Sequence, residues 1–69
     1  MSDNVYSVSE IVGTSSDGVE PAVQNALARA RKTLRNLDWF ETTEIRGHLD
    51  DDGEILHWQV TLKLGFRME

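Results

Sequence analysis

Cysteine is absent from the 69 residues, so neither a disulfide nor a thiolate metal site can hold this chain together. The two histidines, His48 and His57, lack a metal-ligand spacing such as H-x-x-x-H, and no metal is expected. No apolar run approaches the roughly 18 residues of a membrane span, and neither a signal peptide nor a lipidation motif is present. The expectation is a soluble, cytoplasmic protein with no membrane partner. Enzyme signatures are missing as well. Gly13 and Gly18 form no phosphate-cradling loop, and Ser15 and Ser16 have no base near them in sequence. Asp50, Asp51 and Asp52, followed by Gly53 and Glu54, complete no EF-hand and read as a solvated turn. No catalytic residue is expected.

Positive charge is also scarce. Seven Lys/Arg against twelve Asp/Glu give a net charge of −5, which repels a phosphate backbone, so nucleic acid is not an expected partner. Arg29, Arg31, Lys32 and Arg35 do cluster, but in the C-terminal half of a helical pattern, where they complement the helix dipole. The chain makes one domain, residues 1–69, and a domain this small buries little of its surface. With disulfides and metals set aside, oligomerisation is the remaining support.

The elements follow from pattern. Val5–Val12 is rich in β-branched and aromatic residues and predicts a strand. A polar loop from Gly13 to Gly18 then offers Asp17 and Gly18 as N-caps, with Glu20 and Pro21 in the first helical turn. Apolar steps of three and four, through Ala22, Ala26, Ala30, Leu34 and Leu37, predict a helix over Val19–Leu37, with Asn36 near its C-terminal cap. Trp39–Leu49 predicts a second strand, with a bulge or bend at Gly47. Asp52-Gly53 is a hairpin signal.

The last strand, Glu54–Arg67, is the clearest: Leu56, Trp58, Val60, Leu62, Leu64, Phe66 and Met68 alternate with His57, Gln59, Thr61, Lys63, Gly65 and Arg67. At ~3.3 Å per residue, thirteen residues extend ~43 Å, well beyond the ~28 Å diameter of a compact chain of this length. The hairpin outruns its own body. The predicted fold class is α+β: a β-α-β-β subunit, with a three-stranded antiparallel sheet curled around one helix, assembled into an oligomer.

A flat, polar-edged ring is the ligand these residues suit. Trp39, at the start of the second strand, offers an indole face for stacking, or else plugs the end of the helix–sheet core. Gln59 carries both a donor and an acceptor for a ring edge. Arg46 could pair with a carbonyl or phosphate, and Lys63 and Arg67 are further phosphate candidates. His57 reads as a surface or interface histidine.

Several strings resemble the dodecins: Val12-Gly13-Thr14-Ser15, Ala22-Val23-Gln24-Asn25-Ala26, Leu34-Arg35-Asn36-Leu37-Asp38-Trp39-Phe40, Arg46-Gly47-His48 and Gln59-Val60-Thr61-Leu62-Lys63-Leu64-Gly65-Phe66-Arg67. The match runs from about Val5 to Met68, in order. The resemblance implies a hollow dodecamer that binds flavins in pairs at subunit interfaces. In it, the tryptophan matching Trp39, from two symmetry-related subunits, sandwiches the stacked rings, and the glutamine matching Gln59 bonds their polar edge. The arginine matching Arg46 is typical of bacterial members, which favour FMN, while riboflavin and FAD stay open. Some bacterial members also hold coenzyme A. The implied role is flavin storage, buffering and photoprotection. The alternatives are a coenzyme A-binding or purely structural oligomer, or a flavoenzyme using His48 or His57 as acid/base. Asp17–Pro21 departs from the family pattern at the helix start.

Overall fold

The computed structural model describes residues 3–68, so the expectation of one domain over residues 1–69 extends past them at both ends. Four elements follow in the order β1 (Tyr6–Ser15), α1 (Val19–Ala30), β2 (Leu37–Leu49) and β3 (Ile55–Arg67). The strands form one antiparallel sheet in the order β1-β3-β2, which puts the strongly alternating β3 at its centre. The α+β, β-α-β-β architecture is as its pattern foretold. Period-two alternation sorts β3 cleanly: Val60, Leu62 and Leu64 are fully buried, and the odd-numbered residues between them face the other way.

The helix lies across β1 and β3, with Ala22, Ala26 and Ala30 buried against the sheet. Small side chains permit the close approach, and Gly13 marks its nearest point. A Cβ at Gly13 would collide with the Ala22 carbonyl oxygen and would lie 2.8 Å from the Ala26 Cβ. β1 also runs three residues beyond the expected Val12, because β3 continues opposite them. Gly13, Thr14 and Ser15 continue the ladder opposite Val60, Gln59 and Trp58, and the Thr14 carbonyl accepts a hydrogen bond from the Asn25 amide at 3.0 Å. Of the two expected N-caps, Gly18 takes the position. Asp17 instead has its backbone N–H held by the Ser15 hydroxyl.

The helix stops at Ala30, seven residues short of the predicted Leu37. Arg31 is its C-cap, and Ala30 also receives the backbone N–H groups of Thr33 and Leu34, which tighten the chain into a turn. Asn36, expected near the helix cap, adopts φ 61° in the connection to β2 and accepts the Arg67 N–H at 3.0 Å. The reason is register. Leu37 pairs with Phe66, so the chain must already have reversed, while Leu34 in the turn and Leu37 at the start of β2 still reach the core and mimic a helical face. The bulge expected at Gly47 is displaced. Gly47 pairs regularly with Trp58, and the register shifts lie at Leu37/Trp39, Thr42/Glu44 and His48/Leu49.

The molecule measures 56 × 20 × 14 Å with a radius of gyration of 14.5 Å, against ~11 Å for a compact chain of this length. Its accessible surface of 5205 Å² exceeds the ~4,400 Å² typical of a monomer of this mass. Phe40, Ile45, Leu49, Ile55, Leu56 and Met68 are exposed. Apolar surface spread along so thin a body favours association with further copies. Among the described residues, no helix is long and apolar enough to cross a membrane.

Gly13→Ala should wedge α1 away from the sheet and cost about 1–3 kcal/mol, read as a lower urea midpoint at unchanged slope. An unchanged midpoint would show that the helix has room to shift.

Candidate functional site

All five sequence-predicted site residues share the sheet face turned away from the helix. On β3 that face carries Gln59, Lys63 and Arg67, the odd-numbered partners of the buried Val60, Leu62 and Leu64. On β2 the register sets Trp39 opposite Gly65 and Arg46 opposite Gln59, which brings both onto the same face. Along the strand they part into two groups. Trp39 and Gln59 are separated by the six steps from Gly65 to Gln59, or ~20 Å.

The first group surrounds Trp39. The indole lies over Gly65, where a Cβ would overlap its six-membered ring and its nitrogen. Glycine is required there because any side chain would displace the tryptophan. Trp39 remains 41% exposed, so its seat is on the open face of the sheet and the core-plug reading does not hold. Tyr6, from β1, leans against it with ring centroids 6.2 Å apart and planes tilted by 55°. The Tyr6 phenol donates a 2.8 Å hydrogen bond to Asp38, at the β2 register shift. This hydrogen bond, with help from burial and the Asp38 charge, raises the phenol above its ordinary value of 10. Arg67 pairs in register with Tyr6, placing a cation beside the aromatic pair.

The second group lies toward the hairpin end. Arg46 makes an exposed ion pair with Glu44 at 3.4 Å, a contact worth at most ~1 kcal/mol that leaves the guanidinium free to engage an anion. Gln59 is half-buried between Arg46 on β2 and Thr14 on β1. Its amide oxygen lies 2.6 Å from His48 Nε2, and the His48 ring stacks on His57. Lys63 stands between the groups, flanked in register by Glu10 on β1 and Glu41 on β2, which offset its charge.

Sequence reasoning missed Tyr6, Asp38 and Gly65 as partners of Trp39, and His48 as partner of Gln59. Alternation alone did place His57 on the Gln59 face. No local signal could have paired Trp39 with Gly65, because that contact belongs to strand register. Among the described residues no three His, Cys, Asp or Glu side chains form a metal-ion group.

Known proteins are similar to this chain in sequence and fold. The family model described as Dodecin matches residues 5–69. A dodecin of Thermus thermophilus is 58% identical over 65 residues, spanning 94% of this chain and 93% of that protein. The solved structure of dodecin from Streptomyces coelicolor superposes with a TM-score of 0.91 at 61% identity, covering 100% of this chain and 97% of that one. Dodecin from Streptomyces davaonensis gives 0.90 at 56% identity, covering 99% and 98%.

In a Trp58→Phe background, Gly65→Ala should expel the indole from its seat and shift Trp39 emission toward the red. Unchanged emission would place the ring elsewhere. An ultraviolet titration should find the Tyr6 phenol ionising above 10, and Asp38→Asn should lower it. Because its value is raised, neutral Tyr6 contributes stability below its ordinary value and loses it as pH climbs through the raised one.

Proposed function

The chain belongs to the dodecin family, and from that premise we propose that it stores and buffers flavin, holding FMN or riboflavin in stacked pairs where subunits meet. The observation that carries this reading is the seat of Trp39: an exposed indole fixed over Gly65 on an open sheet face, braced by Tyr6. Such a platform suits offset stacking on a flat ring.

The spacing of the two groups supports a site built from two copies of the chain. A single tricyclic ring cannot bridge the ~20 Å between Trp39 and Gln59 of one chain. A flavin that stacks on one and hydrogen-bonds the other draws them from two copies, so the site requires an oligomer, which we take to be a dodecamer. A two-fold axis then supplies a second tryptophan and a second flavin without a further motif. Arg46, opposite Gln59, is well placed for a ring carbonyl or the FMN phosphate, and Arg67 for an anion near the stacked end. Lys63, between two glutamates, is the weakest of the cationic candidates.

A ring covered on both faces has no open position for a substrate, which favours binding over catalysis. Indole stacked on flavin also supplies an electron to the excited ring, and charge recombination returns both to the ground state. That is the basis for photoprotection.

The test is a flavin titration by fluorescence on protein sized by light scattering. The expected result is quenching that saturates near one flavin per chain on a particle of about twelve chains. Trp39→Ala should weaken binding about thirtyfold, as loss of a ~2 kcal/mol hot spot would, and should restore the emission of the flavin still bound. A particle of that size that leaves FMN fluorescence untouched would remove the flavin function; coenzyme A would then be the ligand to try.

A further inference from the structure

Trp39 and Arg46 lie seven positions apart on β2. In an unbroken strand an odd separation turns two side chains to opposite faces of the sheet. Their partners on β3, Gly65 and Gln59, are six positions apart, so both pairs stand on the open face. The difference is one extra residue of β2, Thr43, which the pairing skips between Thr42 opposite Leu62 and Glu44 opposite Thr61. Its hydroxyl donates to the Thr61 carbonyl at 3.3 Å and ties the bulge to the central strand. Just past the bulge, Glu44 accepts from the Thr61 hydroxyl at 3.5 Å and pairs with Arg46 at 3.4 Å.

A second shift follows His48, where β3 contributes the extra residue, Leu56, and Leu49 pairs with Ile55. The two shifts are opposite, so only the segment Glu44–His48 is displaced, and by one position. Carried through without displacement, the register of the Trp39 end would set Glu44 opposite Val60 and Arg46 opposite Trp58. Arg46 would then stand on the face of the buried Val60 and Leu62, turned away from Trp39. Gln59 belongs to β3 and keeps its face in either register. We propose that Thr43 is a positioning residue: the bulge it pins turns Arg46 onto the face that carries Trp39, so that both reach one ligand. The inference rests on the flavin reading and deepens it. A two-fold interface presents the same patch from each copy. A ring stacked on Trp39 of one copy meets Arg46 of the other only if both residues lie on that patch.

The test compares FMN affinity by fluorescence titration in wild-type protein and in variants at positions 43 and 46, each sized by light scattering. Thr43→Ser keeps the donor and should bind within about threefold of wild type. Thr43→Val and Thr43→Ala lack it and should bind about tenfold more weakly, the effect of one hydrogen bond. Arg46→Ala should also cost about tenfold in the wild-type background, but about threefold or less beside Thr43→Val, because the cation has already left the site. A multiplicative loss in the double variant would overturn the inference, as would wild-type affinity in Thr43→Val, equal weakness in Thr43→Ser and Thr43→Val, or an Arg46→Ala variant that binds normally. Failure of both hydroxyl-free variants to assemble would overturn it too, since Thr43 would then serve the fold and not the placement of Arg46. All of these leave the flavin reading in place. Wild-type protein that does not quench FMN would overturn that reading and this inference with it.

Discussion

The close seat of α1 on the sheet constrains everything else in this chain. Ala22 and Ala26 meet Gly13 with almost no side-chain volume between them, and the three helix alanines share the core with Val60, Leu62 and Leu64. A helix of twelve residues is ~18 Å long, while each long strand of the hairpin extends ~43 Å. One short helix cannot cover so long a ribbon. The apolar residues on that face that it leaves uncovered, Phe40 and Ile45 on β2 and Leu56 on β3, stay open. Stability and assembly are thereby tied together, because the surface that the helix leaves bare is what further copies would bury.

The same division leaves the opposite face of the sheet open. With the even-numbered residues of β3 committed to the core, its odd-numbered residues and their cross-strand partners form a continuous open surface. Trp39 and Gln59 occupy distant parts of it, and no bending of one subunit would bring them to the same small ring. A site that used both would draw them from two copies of the chain. The supporting contacts at each end are local and rigid: an indole over a glycine backbone at one, an amide tied to a stacked imidazole at the other.

Much of the fold could be read from pattern. The alternation of β3, the Asp-Gly turn and the alanine stripe specify two paired strands and a helix that packs closely. The readings that failed share a cause. Leu34 and Leu37 continue the helical spacing, but they reach the core from a turn and from the first residue of β2. Gly13 to Ser15 look like a loop by composition and are strand, because β3 continues opposite them. Gly47 looks like a bulge and instead pairs regularly with Trp58. In each case a long-range partner overrode a local preference.

By itself the sequence determined the chemical inventory, the α+β order and the absence of cysteine chemistry. Only the tertiary structure decided who touches whom. Trp39 rests on Gly65, Tyr6 on Trp39, and His48 on Gln59, across separations of 26, 33 and 11 positions. Those contacts depend on strand register and on shifts of one residue within it. A single-residue slip turns a side chain to the opposite face, and register is settled by the packing of the whole sheet against its helix.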